Sequence, residues 1–248
     1  INGQVLLRHS QVRWSPQFGE NLKLKVALED PSTDIFGGQG QRGAFDLVAS
    51  LDKMPLGKLG LWNYRVGFVL RDLKAIESTG ESELTGDTKS TTGWGITTGG
   101  RQPISWWSSD DYLLWQLTYG KGIGHYINDL GTVVGGDAVF DPDGKLKAIQ
   151  VFAGYLSYML RWPLTRRFME GWPGVMRSSI TFSWVDISNF DYQDDSAYDN
   201  TLRASINLMY NPTKNIQGGV EYLWGQRQNK DGSKGKATQL QFAMRYLF

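Results

Sequence analysis

The chain has 248 residues, a net charge of +1 and no cysteine. That balance gives nucleic acid no basic surface to hold by charge, and it excludes disulfides and thiolate metal sites. At 40% hydrophobic residues the chain is too apolar to be disordered, yet no run approaches the roughly 18 consecutive apolar residues of a membrane-spanning helix.

The 30 Gly, 10 Trp and 11 Tyr are a heavy load of turn formers and of aromatics that suit a membrane–water interface. The chain opens on Ile1, with no signal peptide after it, so a processed, trimmed or partial chain is expected.

In chain order, the hydrophobic pattern has a period of two almost throughout, which is a strand period. Residues 4–15 open the series, with Val12 and Trp14 on one face and Gln11 and Arg13 on the other. Residues 22–30 set Leu22, Leu24, Val26 and Leu28 against Lys23, Lys25, Ala27 and Glu29. Residues 44–53 and 61–73 follow. They set Phe45, Leu47, Trp62, Tyr64 and Phe68 against Asp46, Asp52, Arg65 and Arg71.

After a polar loop, residues 92–101 set Trp94 and Ile96 against Thr97 and Arg101, and residues 111–120 set Trp115 and Tyr119 against Gln116 and Thr118. A long loop at 121–145 leads to residues 148–162, with Phe152, Leu156 and Trp162 opposite Val151, Ala153 and Arg161. Residues 177–186, 201–210, 217–227 and 237–248 complete the set. Their apolar faces carry Phe182, Ile206, Tyr222 and Phe242, and their polar faces carry Arg177, Arg203, Arg227 and Arg245.

The pattern predicts about eleven strands, each with one aromatic-aliphatic face and one face of Arg, Lys, Gln, Ser, Thr or Gly. A sandwich would hide the apolar faces between two sheets and a lipocalin-like barrel would turn them inward. Both would use fewer and shorter strands. The expected fold is all-β, an antiparallel transmembrane barrel whose apolar faces meet lipid. Phe45, Trp62, Trp94, Trp115, Phe152, Phe182, Tyr222 and Phe242 are the expected lipid contacts.

Connections alternate between short and long, as in bacterial barrels with short periplasmic turns and long external loops. Both the first and the last visible strand then run toward the periplasm. Closure requires an even count, so at least one further strand is expected before Ile1.

Several stretches, in order along the chain, resemble the DcaP-like outer-membrane porin family. They are NLKLKVALEDPSTD (21–34), GWGITTGGR (93–101), YGKGIGHYINDLG (119–131), GDAVFDPDGKLKA (136–148) and the closing strand pair at 219–248. The resemblance implies a 16-stranded barrel, a trimer, and passage of small organic anions such as dicarboxylates. Residues 1–248 would form one barrel domain lacking roughly the first five strands.

Function should sit on the polar face, because that face lines the lumen. Its basic members are Arg13, Lys23, Lys25, Arg65, Arg71, Arg101, Arg161, Arg177, Arg203, Arg227 and Arg245, and its acidic members are Glu29, Asp46, Asp52 and Glu221. Rings of Arg and Lys select anions, and Arg holds a carboxylate through two parallel hydrogen bonds. The competing account is that such arginines only brace the wall against carboxylates. Lys121 joins the candidates if its loop folds inward.

The two histidines, His9 and His125, have no nucleophile at a recognisable spacing. DYQDDSAYDN (191–200) lacks a calcium-loop spacing, and DPDG (141–144) reads as a tight turn on Gly144. The expected protein is an anion-preferring porin of the bacterial outer membrane, without a cofactor. Its partners would be small anionic solutes, outer-membrane lipid, lipopolysaccharide and two further copies of itself. A lipid-hydrolysing barrel and a structural barrel with a plugged lumen are the alternatives.

Overall fold

A period-two pattern with two unlike faces can be satisfied only by a sheet that keeps one register across all its strands. The computed structural model describes residues 3–5, 10–52, 63–77, 87–130, 136–162, 174–246 and 248. Its strands are β1 (Gln11–Trp14), β2 (Gln17–Phe18), β3 (Leu22–Glu29), β4 (Ile35–Phe36), β5 (Gly38–Gln41), β6 (Asp46–Asp52), β7 (Asn63–Glu77) and β8 (Lys89–Pro103). They continue with β9 (Tyr112–Lys121), β10 (Ala138–Phe140), β11 (Leu146–Ala148), β12 (Gln150–Arg161), β13 (Val175–Ser188), β14 (Tyr198–Asn211), β15 (Ile216–Asn229) and β16 (Lys234–Tyr246).

One large sheet runs β1-β3-β6-β7-β8-β9-β12-β13-β14-β15-β16, with β2 added on β3 and β5 on β7. This path contains the eleven strands that the sequence pattern predicts, each antiparallel to its neighbours. Among the described residues β1 and β16 do not pair with each other, so the sheet presents two edges. A small second sheet orders β11-β10-β4, with β10 and β4 parallel.

The register carries one set of residues along each face. Arg65, Gly99, Gln116, Tyr155, Ser183, Arg203, Gly225 and Ala237 are successive cross-strand partners on one face. The opposite face carries large exposed apolar side chains, among them Phe45, Trp94, Phe152, Phe182, Tyr222 and Phe242. Trp115 lies on that face at intermediate exposure and packs edge-on against Tyr64, while Trp62 lies outside the described residues.

Several strands run further than their pattern predicts, β7 and β8 among them. β7 extends to Glu77 and β8 begins at Lys89, continuing the ladder through Leu73↔Thr91 and Ala75↔Lys89. The pattern breaks because the faces exchange character there. Leu73 and Ala75 point to the polar-face side, where they are fully buried with Ala138 and Leu146 of the small sheet, and Asp72 and Lys74 take the other side.

The expected first strand also divides. Only Gln11–Trp14 joins the sheet, while Val5 bridges to Ile127 and Gly3 donates its N–H to the Asn128 carbonyl.

At one end of the sheet, the β8–β9 turn is tied by Asp111, which is 1% exposed. Its carboxylate accepts hydrogen bonds from the backbone N–H groups of Trp107, Ser108 and Arg161 and from the Tyr158 hydroxyl at 2.7 Å. Burial pushes this carboxyl up, but the four donors outweigh it and hold it below its ordinary value of 3.8. A lowered carboxyl contributes stability above its unfolded value and loses it as pH falls through its folded value. Asp111→Ala should therefore destabilise the protein at neutral pH by about 1–3 kcal/mol. The deficit against wild type in urea unfolding should shrink only in strong acid.

Candidate functional site: the lumen face and an inward-folded segment

The segment after β9 does not project from the end of the sheet. Gly122, in a left-handed conformation at φ +68°, turns the chain over the polar face. A 3-10 turn at Gly124–Tyr126 then packs Ile123, Ile127 and Leu130 against Val151 and Ala153 of β12 and Val185 and Ile187 of β13. The same few residues reach β3 through Tyr126 and Glu29, β7 through the Gly122 carbonyl, and β14 through Asp129 and Tyr198. Flat, the eight wall strands from β3 to β14 would span about 34 Å at ~4.8 Å per strand. One coiled segment touches them all because the sheet curls around it, so the polar face is concave and forms a lumen.

Glycine makes room for this approach. A Cβ at Gly95 would stand 2.9 Å from Ile123 Cγ2, and one at Gly120 would stand 2.3 Å from the Trp94 carbonyl.

Arg71 fastens the segment. It has no solvent exposure, and its Nε donates to Asp46 Oδ2 at 2.9 Å. Nη1 donates to Asp137 Oδ1 at 2.9 Å and to the Gly122 carbonyl at 2.6 Å, and Nη2 donates to the Ser32 carbonyl. The Tyr126 ring covers the guanidinium at 5.0 Å. Its hydroxyl lies 3.0 Å from Glu29 Oε2 and 3.2 Å from Asp46 Oδ2. Arg71 thus braces two loops against the wall and does not line an open pore.

His125 has the partners that sequence spacing could not supply. Its Nδ1 bonds Asp34 Oδ2, and its Nε2 lies 3.2 Å from Ser32 Oγ. The order Ser–His–Asp is that of a hydrolase triad. Here, however, the Ser32 N–H is given to the Asp30 carbonyl and the Ser32 carbonyl accepts from Arg71, so the backbone around the hydroxyl is committed to holding the loop. His9 lies outside the described residues.

Asp34, His125 and Asp137 also stand close enough to share a metal ion. Asp137 already accepts from Arg71 and from the backbone N–H groups of His125 and Asp34, so the cluster is filled by its own donors.

The remaining basic candidates fall into two groups. Asp52 (β6) pairs with both Lys25 (β3) and Arg65 (β7), and the Arg65 side chain stays 60% exposed. Arg161 pairs with Asp110, Arg101 lies 3.8 Å over the Tyr112 ring, and Arg227 lies 4.9 Å over Tyr198. The register puts Arg13, Lys23, Arg177, Arg203 and Arg245 on the lumen face as well. Among the described residues, these five and Arg101 and Arg227 form no ion pair with a carboxylate.

Lys121 is different. β9 continues through it, opposite Trp94 and Gln150, so it takes the apolar-face side although the chain turns inward one residue later. In 191–200 Lys230 donates to the Asp191 and Gln193 carbonyls, and at 141–144 Gly144 adopts φ +72° in the β10–β11 turn.

The fold so defined is a curled antiparallel sheet with an apolar exterior and a segment packed against its concave face. Among solved structures it resembles the outer membrane channel DcaP of Acinetobacter baumannii, with a TM-score of 0.76 at 22% sequence identity. The match covers 100% of this chain and 65% of that one, so the chain spans about two thirds of the channel's length. The DcaP-like resemblance in the sequence is therefore met at the level of the fold. No family model and no curated protein matches the chain.

Two outcomes follow. Arg71→Met should cost about 3–5 kcal/mol, because it leaves Asp46 and Asp137 buried without their cation; adding Asp46→Asn and Asp137→Asn should recover part of the loss in thermal unfolding.

The second concerns His125. Burial pushes its imidazole down, but the Asp34 hydrogen bond and the charges of Asp137 and Asp34 outweigh both burial and Arg71, leaving it above its ordinary 6.5. A raised pKa stabilises fully below the unfolded value and is lost as pH rises through the folded one. Hydrogen-exchange protection of residues 123–130, corrected for intrinsic rate, should be greatest below pH 6.5 and decline above it. His125→Gln should flatten that dependence.

Proposed function

We propose that this chain forms the wall and the internal constriction of an outer-membrane porin that passes small organic anions, dicarboxylates among them. The observation that carries this reading is the unequal pairing of charge on the lumen face. Asp46 and Asp52 are bridged by arginine or lysine, whereas Arg13, Lys23, Arg101, Arg177, Arg203, Arg227 and Arg245 form no ion pair among the described residues. Cations held at a low-dielectric wall without a counter-charge attract a permeating anion. Glu221 is a lumen carboxylate with neither an ion pair nor a hydrogen bond among the described residues.

The barrel is completed by further strands along the edges of β1 and β16, since an unpaired strand edge has no place in hydrocarbon. Its aromatic exterior meets outer-membrane lipid and lipopolysaccharide, and three copies assemble. No chemical step and no cofactor belongs to this reading. The inward segment favours a plugged structural barrel as the second reading, and conduction separates the two.

In planar bilayers under a salt gradient, the protein should conduct with a reversal potential on the anion side. Arg177→Glu with Arg203→Glu should move that potential toward cations, while Lys121→Gln should leave it nearly unchanged. A wild-type pore that prefers cations at low salt, or a membrane that stays sealed, is incompatible with the proposal.

A further inference from the structure

Between the inward segment and the wall lies a cavity of about 160 Å³, lined on its lumen side by Val5, Val48, Val69, Thr118, Ile123 and Tyr126. Its floor is low because Gly67 and Gly95 carry no side chain: a Cβ at Gly67 would meet Thr97 Cγ2 at 2.9 Å. Arg65 and Thr97 border this cavity and also border a second one of about 350 Å³ that contains Asp52, Asn63, Leu114 and Tyr155. Arg65 therefore stands at the junction of an apolar chamber and a more polar one. Among the described residues only its Nε is engaged, by Asp52, so the two terminal nitrogens of an exposed fork remain for a ligand. An apolar cavity of about 150 Å³ accommodates a benzene ring.

We propose that Arg65 and this chamber form a binding subsite for monocarboxylates that carry an apolar body of about six carbons. The carboxylate sits on the Arg65 fork and the ring or chain lies against Val48, Val69 and Ile123. This rests on the anion reading above and deepens it, because charge alone would treat acetate and benzoate alike, whereas the chamber separates them. The inward segment supplies one wall of the chamber, through Ile123 and Tyr126, so the subsite exists only while that segment is docked.

The test uses the full chain in lipid nanodiscs and ligand-observed saturation-transfer NMR with acetate, succinate, benzoate and benzyl alcohol. Benzoate should bind about tenfold more tightly than acetate, from the burial of its ring, and benzyl alcohol should not compete with it. Val48→Thr with Val69→Thr keeps the shape and places hydroxyls in the chamber. That pair should bring benzoate to the level of acetate and leave succinate unchanged. Arg65→Gln should weaken all three anions.

Benzoate binding no better than acetate, with succinate still bound, would overturn the subsite and leave the anion channel standing. Equal binding of benzyl alcohol and benzoate would also overturn it, by reducing the site to a greasy cavity. Failure of all three anions to bind would overturn the anion reading itself.

Discussion

A guanidinium with no contact with water stands at the centre of this molecule. Taking a charge out of water costs several kcal/mol, and only close anions and well-aimed acceptors repay it. Arg71 finds them on three separate pieces of chain: Asp46 on the neighbouring strand, Asp137 and the Gly122 carbonyl on the inward segment, and the Ser32 carbonyl on the loop after β3. None of these pieces would hold its place alone. Ser32 and Asp34 are positioned to receive His125 because Arg71 and Asp137 have already drawn their loop inward. The inward segment is thus an ionic assembly first, with Ile123, Ile127 and Leu130 closing over the wall around it.

That arrangement divides the lumen into two unlike halves. Around Arg71 the charges are numerous and carboxylates predominate, with Glu29, Asp34, Asp46 and Asp137 gathered about one guanidinium and one imidazole. Toward the other end, near the starts of β3, β7 and β13 and the ends of β8 and β12, the wall carries Lys23, Lys25, Arg65, Arg101, Arg161 and Arg177 against Asp52, Asp110 and Asp111. Basic groups outnumber acidic ones in this second half. Residues of one chemical type therefore do different work in the two halves: Arg71 is structural because its counter-charges surround it, and Arg177 faces the lumen because its cross-strand partners are Arg161 and Met209.

Alternation alone was enough to assign faces. Arg13, Lys25, Arg65, Arg161, Arg203 and Arg227 lie on the side that period two gives them, because the register carries parity from strand to strand and its one shift along β14–β15, at Tyr198/Asn200, lies beyond them. What alternation could not supply was the third layer. Val151 and Ala153 sit on the nominally polar face, as do Val185 and Ile187, and the stretch Val151–Ala153 reads as apolar on both sides. A strand apolar on both faces is a strand covered on both faces. That is the signal in the sequence that something packs inside the lumen there. The Arg71–Asp46 pairing was equally present as a possible cross-strand pair, but its burial depends on Asp137, 66 residues away, and no local pattern reports such a distance.

The glycines of β8 and β9 join these observations. A strand interior rich in glycine is weak on its own, since each glycine gives up side-chain packing and costs conformational entropy. Gly93, Gly95 and Gly120 nevertheless stand in the middle of the wall, each within van der Waals reach of the inward segment or of the strand beside it. Side chains there would collide with Ile123 or with the Gly122 and Lys121 carbonyls, so the smooth strip is the imprint of the segment on the wall. The strip also explains why the segment can be tight without filling the lumen. It approaches where the wall is bare, and beyond it Gly99, lower on β8, borders the second cavity beside Arg65 and Tyr155. The place of the segment on the wall is thus set along these two strands by where the sequence omits a side chain.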